Sequence, residues 1–276
     1  MPRSLFSGAS GMNNHQTAMD VVANNIANID TTGYKASTAG FQDIVSQTVS
    51  AAAAPTATLG GRNAKQIGLG VTIAGIGKDM TEGSTQTTDR PLDFAIHGEG
   101  YFVAKNGTQT YYTRNGNLTL DEAGNLVTAN GMLVQGVLGA GTLSGTVGTL
   151  SNITIDGGTY SDYAIDSNGY VSATKRSDGS KVQIGRMVLG TFNNPAGLDA
   201  VGSSCFQPSN NSGTVTNRYV NDSGAGALQS GELEMSNVSL ASEMTNMIII
   251  QRGFQANSRV ITTSDSMMEE LVNLKR

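Results

Sequence analysis

Apolar side chains recur at seven-residue steps near both ends of this chain, and that spacing constrains the fold more than anything between them. From Gly231 to Arg276, Leu240, Met247, Phe254, Ile261 and Met268 fall on one stripe, with Met244 and Val272 beside it. This is the pattern of a long amphipathic helix. Met247, Ile248, Ile249 and Ile250 are apolar in succession, more of the circumference than one partner helix needs, so more than one neighbour is implied. Gln251, Ser258 and Asp265 hold the alternate seam positions, so a strict dimeric coiled coil, apolar at both a and d, fits poorly. A matching stripe runs from about Ser4 to Asp30: Leu5, Met12, Met19 and Ile26, with Val22 and Ile29 in the intervening seam. The chain is expected to begin and end in helix.

The other face of the first helix carries Ser7, Ser10, Asn13, Asn14, Gln16, Thr17, Asn24, Asn25 and Asn28, and Arg3, Asp20 and Asp30 are its only charged side chains. A helix facing water usually carries Lys and Glu there. Amides and hydroxyls are covered by another protein surface at lower desolvation cost than charges, provided they find hydrogen-bond partners. The face reads as one made to be packed; the alternative is an ordinary two-helix hairpin exposed to water.

Between the ends the period changes. Asp30-Thr31-Thr32-Gly33 reads as a helix stop with Gly33 as a left-handed cap. Tyr34–Val49 is a short helical or extended segment, and Ser50–Gln66, small and unpatterned, is a linker or exposed loop. From Ile67 onward apolar residues alternate, as in Val71/Ile73, Leu92/Phe94/Ile96 and Tyr101/Val103, the signature of strands. Asn115-Gly116, Gly124-Asn125, Asn130-Gly131, Asn168-Gly169 and Asp178-Gly179 supply the positive φ that tight hairpin turns demand, so an antiparallel meander is expected. Leu143, Val147, Leu150, Ile153 and Ile155 stand in a Gly/Thr/Ser-rich stretch. Val182 to Leu189 is a buried strand, Asn194-Pro195-Ala196-Gly197 a turn, and the polar stretch from Gln207 to Gly231 a return linker. The fold class is α+β: paired terminal helices, coiled-coil-like in spacing, flanking a central antiparallel β-rich domain. The boundaries are 1–49 for the first helical part, 50–70 for the linker, 71–228 for the β-rich domain and 229–276 for the last helical part.

A net charge of −5 without any Lys/Arg cluster argues against nucleic acid. No segment approaches membrane-spanning length, and MPRSLFSGASGMNN contains no apolar run of a cleaved leader. Gly68/Gly70 and Gly98/Gly100 lack the third glycine of a dinucleotide fingerprint, and Gly77-Lys78 lacks the preceding glycine of a phosphate loop. Asp166-Ser167-Asn168-Gly169-Tyr170 fails as a calcium loop at Tyr170 and has no closing Glu, leaving a hairpin turn. His15 reads as a packed, hydrogen-bonded imidazole, and neither it nor His97 has clustered ligands nearby. Cys205 has no second cysteine to pair with. No catalytic, cofactor-binding or metal site is expected.

Three separated stretches carry a resemblance. LFSGASGMNNHQTAMDVVANNIANIDTTGYKAS, with Asn24-Asn25-Ile26-Ala27-Asn28 and Thr32-Gly33-Tyr34-Lys35, is similar to the start of the flagellar rod and hook family of bacterial axial proteins. The final stretch resembles the family's other end at Ser236-Asn237-Val238, Met247-Ile248, Gln251-Arg252 and Gln255 to Ser258, and Arg90–Phe102 with Tyr112–Gly136 resembles its middle domain. The resemblance implies a structural subunit that forms a helical homopolymer, with the paired terminal helices in an inner tube wall. It implies rod, hook-cap and hook–filament junction proteins as neighbours, and export by the flagellar type III apparatus without a cleaved leader. The segments Glu232–Val238 and Leu271–Arg276 resemble hook proteins, while Ala54–Gly70 resembles the longer linker of distal rod proteins and compact hook proteins. A compact hook protein is the expectation, with a distal rod protein as the alternative.

Overall fold

The computed structural model describes residues 3–56, 60–139, 147–222 and 224–274; Leu143 lies outside them. The chain forms two compact units, one of Met1–Ala27, Ser37–Lys78 and Ser239–Arg276, the other of Asn28–Ala36 and Asp79–Val238.

The first unit is built on two helices, α1 (Arg3–Ala27) and α2 (Leu240–Leu274). They run antiparallel: Ser4 Oγ lies 3.2 Å from Ser264 Oγ, and Asn25 Nδ2 donates to Glu243 Oε2 at 3.3 Å near the other end. Between these, Gly8 faces Ile261, Gly11 faces Asn257, and Gly253 faces the His15 ring. Gly8, Gly11, Ala18, Val22 and Asn25 are the buried residues of α1. Small side chains let the two backbones approach, and the larger side chains of α2 fill the space. Four strands complete the unit, β1 (Ser37–Asp43), β2 (Gln47–Ser50), β3 (Lys65–Ile67) and β4 (Val71–Lys78). β1 pairs antiparallel with β4, with a bulge between Gly40 and Phe41, and β2 pairs with β3. Tyr34–Val49, open between helix and extended chain, is therefore mostly strand. The Ser50–Gln66 stretch is exposed throughout its described part and carries the Ala53–Arg62 bridge.

The second unit contains β5 (Thr85–Thr87), β6 (Phe94–His97), β7 (Tyr101–Asn106), β8 (Gln109–Thr113), β9 (Leu118–Leu120), β10 (Leu126–Thr128), β11 (Leu133–Leu138) and β12 (Ser151–Asn152). It continues with β13 (Tyr160–Ile165), β14 (Tyr170–Lys175), β15 (Lys181–Thr191), β16 (Asp199–Gly202), β17 (Cys205–Gln207), β18 (Thr216–Tyr219), β19 (Ala227–Ser230) and β20 (Glu232–Glu234). The main sheet runs β13-β14-β15-β11-β7-β8-β17-β16, antiparallel throughout, and β19 pairs with β6 and β20 with β5. The pleat sends alternate residues of β7 to opposite faces. Phe102 joins Phe94, Ile96, Leu118, Met187 and Leu189 in one fully buried cluster. Tyr101 and Val103 join Tyr112, Phe192 and Phe206 in another, where Tyr112 meets Phe192 edge-on at 4.9 Å.

Four of the five predicted turns close hairpins, with Gly124, Gly131, Gly169 and Gly179 at φ 77°, 75°, 76° and 65°. Asn115-Gly116 does not: β8 pairs with β7 and β17, not with β9. Gly116 is instead a point of close approach, where a Cβ would overlap the Phe94 carbonyl. Gly33 has the expected positive φ of 67°, but α1 already ends at Ala27, so it caps no helix; its N–H donates to the Glu234 carbonyl at 2.8 Å. The stretch from Gln207 to Gly231 is not a linker either. It supplies β18 and β19 and buries Ser212, Tyr219, Val220 and Leu228, its polar composition being that of tight turns between short strands.

Candidate assembly surfaces and the buried motif residues

In the helical unit the residues of α2 that face inward are Met247, Ile250, Phe254, Asn257, Ile261 and Ser264, alternating in steps of three and four. The alternate seam therefore includes Ile250, Asn257 and Ser264, three residues after each stripe residue, while of the positions four after, Gln251 and Asp265 are exposed and Ser258 is half-buried. On α1 the inward line is Ser4, Gly8, Gly11, His15, Ala18, Val22 and Asn25. Leu5, Met12, Met19 and Ile26 flank it, half-buried. At the ends of the α2 stripe Leu240, Met244 and Met268 are exposed, as are Ile248, Ile249, Met267, Leu271 and Val272. Large apolar side chains thus cover much of the outer surface of this unit, which marks a surface used for protein contact.

Part of the amide-rich face of α1 is covered from within the unit. Asn14 Nδ2 donates to the Ser10 carbonyl at 2.8 Å and the Val71 carbonyl at 2.6 Å. Asn25, 1% exposed, donates from Nδ2 to the Ser37 carbonyl at 2.8 Å, and its Oδ1 accepts the Ser37 N–H at 2.9 Å. One amide side chain thus satisfies both backbone groups where β1 starts, as a third strand would. Ser7, Asn13, Gln16, Thr17 and Asn24 stay on the exposed side. His15 is packed against Phe41 at 5.4 Å between centroids, but its Nδ1 is buried without a hydrogen-bond partner, so the expected bonded imidazole is only half realised.

The other motif residues meet in the second unit around one buried carboxylate. Glu234 Oε1 accepts from Lys35 Nζ at 2.6 Å and from the Gly83 N–H at 3.1 Å, and Oε2 accepts from Arg114 Nη1 at 3.2 Å. The side chains of Lys35 and Glu234 are fully buried and that of Arg114 nearly so. Lys35 also donates to the Thr81 carbonyl at 2.5 Å, and Arg114 Nη2 to the Gly98 carbonyl at 2.6 Å. Burial lowers the Lys35 pKa below the ordinary lysine value, with Glu234 pulling the other way. Asn237 Oδ1 accepts the Ala36 N–H at 2.8 Å while its Nδ2 donates to the Asp79 carbonyl at 3.0 Å. Ser236 Oγ accepts the Val238 N–H at 3.3 Å, and Asn28 Oδ1 accepts from Thr31 Oγ1 at 3.2 Å. Gly33, Ser236 and Asn237 are thus brought together with Lys35. Ala27, Gln251 and Arg252 are exposed in the helical unit, where Arg252 Nη1 donates to Gln255 Oε1 at 3.2 Å. The Lys35–Glu234–Arg114 triad was missed as a constellation because its members lie far apart in sequence. The available signal was one lysine, one arginine and one glutamate, each inside a different one of the three motif stretches.

Cys205 is buried with its Sγ donating to the Ser203 carbonyl at 3.4 Å, and burial pushes its thiol pKa up, against thiolate chemistry. Among the described residues no three His, Cys, Asp or Glu gather as metal ligands, and no helix is long and apolar enough to cross a membrane. Asp166–Tyr170 forms the β13–β14 turn, with the Gly169 N–H on the Asp166 carbonyl at 2.8 Å.

A helix pair in which α1 buries small residues and α2 leaves many large apolar ones exposed, in a chain that also holds an antiparallel β unit, defines a structural subunit rather than a catalyst. Three family profiles match the chain in order: flagella basal body rod protein at residues 5–35, flagellar hook protein FlgE/F/G D1 domain at 95–173, and flagellar basal body rod FlgEFG protein C-terminal at 229–274. The flagellar basal-body rod protein FlgG of Bacillus subtilis is 48% identical over 277 residues, covering 100% of each chain. The protein of the same name from Borreliella burgdorferi is 36% identical over 279 residues, again 100% of each. The flagellar hook protein FlgE of Borreliella burgdorferi is 29% identical over an alignment of 442 positions, 100% of each. The chain belongs to the flagellar rod and hook family of structural proteins.

Proposed function

We propose that this chain is a subunit of the distal rod of the bacterial flagellum, polymerising helically through its terminal helices. The observation that carries this reading is likeness to a rod protein along the full length at 48% identity and nearly equal length. Alignment with hook proteins stretches to 442 and 464 positions against the 276 residues here, so those proteins carry segments this chain lacks. The exposed apolar residues of α2 and the half-buried Leu5, Met12, Met19 and Ile26 would then be covered by sister subunits. Contacts that do not close on themselves generate a filament. The rest of the basal-body rod, the hook-cap and hook–filament junction proteins, and the type III export apparatus are the partners of this reading, and the site is the flagellum outside the cytoplasmic membrane.

A compact hook protein is the second reading, favoured by the hook-like segments Glu232–Val238 and Leu271–Arg276. Deleting the gene and imaging purified basal bodies separates the two. A truncated rod bearing no hook is expected. A complete rod without a hook would assign the chain to the hook, and normal rods and hooks would overturn both readings.

A further inference from the structure

The segment Asn28–Ala36 joins α1 to β1 but folds as part of the β unit. It holds turns and extended backbone and no strand. Asn25, shortly before it, binds both backbone groups of Ser37, directly after it, so its ends are held close together in the manner of an Ω-loop. Along the segment the Thr32 carbonyl accepts from Ser204 Oγ at 3.1 Å and the Gly33 N–H donates to the Glu234 carbonyl at 2.8 Å. Lys35 Nζ reaches the Thr81 carbonyl and Glu234 Oε1, and the Ala36 N–H and carbonyl meet Asn237 Oδ1 and the Asp79 N–H, each at 2.8 Å. These are polar attachments. Among the described residues, none of the four buried apolar clusters includes a residue of this segment.

The side chains that receive the segment keep other partners. Glu234 retains Arg114 Nη1 on Oε2 and the Gly83 N–H on Oε1, and Asn237 Nδ2 retains the Asp79 carbonyl. Thr113 Oγ1 holds the Ser204 carbonyl at 2.8 Å. Lys35, whose charge is disfavoured by burial, returns to water if the segment lifts away. Ser204 stands at φ 55° beside Ser203 at 54°, in a two-residue turn whose geometry favours Asn and Gly. What serine adds at 204 is the hydroxyl that reaches Thr32.

We infer that Asn28–Ala36 is a latch that opens as one unit while the β core stays folded, uncovering a polar seat at Arg114, Glu234 and Asn237. Opening trades hydrogen bonds for water and takes no residue out of an apolar cluster, so it lies far below global unfolding. It frees the Gly33 and Ala36 N–H groups together with that of Asp79, which is distant in sequence but bonded to the Ala36 carbonyl. The inference goes beyond the assembly reading and does not depend on it.

Hydrogen exchange of the dilute full-length chain, read residue by residue by fragmentation mass spectrometry, tests the latch below the urea transition that tyrosine fluorescence reports. The Gly33, Ala36 and Asp79 amides are expected to share one protection factor, at least about a hundredfold below that of β7 and β15 and independent of urea. Protection equal to that of β7 and β15 overturns the inference, as does exchange of Gly33 and Ala36 at the free-peptide rate or protection of Asp79 that outlasts theirs. Ser204→Gly suits the turn and deletes the hydroxyl on Thr32, so it is expected to lower the shared protection about fivefold without lowering the urea midpoint. Unaltered protection, or a midpoint that falls in step with it, overturns the inference.

Discussion

Removing the Glu234 carboxylate tests what the motif residues do in the β unit. Glu234→Ala deletes the acceptor of Lys35 Nζ at 2.6 Å, of the Gly83 N–H at 3.1 Å and of Arg114 Nη1 at 3.2 Å, and leaves two cations in one buried space. Lys35, its pKa already lowered by burial, has the option of giving up its proton. Breaking a buried ion pair by removing one partner costs about 3–5 kcal/mol. At ~2–4 °C per kcal/mol for a unit of 150–250 residues, the melting temperature should fall by ~6–20 °C. All eight tyrosines lie in this unit and the chain has no tryptophan, so tyrosine fluorescence follows its unfolding without contribution from the helices. The sign with pH is also set. A lysine whose folded pKa is depressed makes stability rise as pH climbs from that value toward 10.5, because the unfolded chain then binds the extra proton. The variant depresses Lys35 further, so its deficit should shrink as pH rises through the folded value toward 10.5. A loss under about 1 kcal/mol, or a deficit that grows with pH, would refute this account of the triad.

Gly116→Ala places a Cβ against the Phe94 carbonyl and should exceed the ~1–3 kcal/mol of ordinary overpacking in urea denaturation, whereas Gly75→Ala, with open space around it, should not. Asp121 accepts from the Asn125 side chain at 2.9 Å and its N–H at 2.6 Å, which lowers its pKa below 3.8; carbon-detected NMR titration should find that midpoint. The turn's stabilisation is then present above 3.8 and lost as pH falls through the lower folded value. Deleting residues 241–276 should abolish sedimentable polymer and leave the tyrosine signal of the β unit cooperative; polymer formed by the truncated chain would remove the helices from the assembly argument.

The β unit was largely legible in the sequence because its signals are local. Alternation such as Phe94/Ile96 and glycines at tight turns act within a few residues, and four turns close as their dipeptides demand. What failed was what distance in sequence decides. Asn115-Gly116 has turn chemistry, but the Phe94 backbone passing over it fixes its use. The stretch after Gln207 looked like a linker because strands of three or four residues between turns, as β18 and β19 are, carry too few apolar positions for a period to emerge.

The helices show the same limit more sharply. An apolar period finds Leu5, Met12, Met19 and Ile26, yet the line that meets α2 is Ser4, Gly8, Gly11, His15, Ala18, Val22 and Asn25, most of which register as gaps in hydropathy. Close approach explains the reversal. A Cβ on Gly11 would stand 2.6 Å from Asn257 Nδ2, and one on Gly253 2.7 Å from the His15 ring, so at these points of the seam a larger side chain on one helix requires glycine on the other. Many of the large apolar residues, Met244, Ile248, Ile249, Met267 and Leu271 among them, are then left exposed at the edges and ends of the pair. A helix pair meant to stay monomeric would invert that arrangement, burying its leucines and methionines and turning its small residues outward. A chain that leaves Leu240, Met244, Met267, Met268 and Leu271 exposed has put its cohesive surface where another copy can reach it.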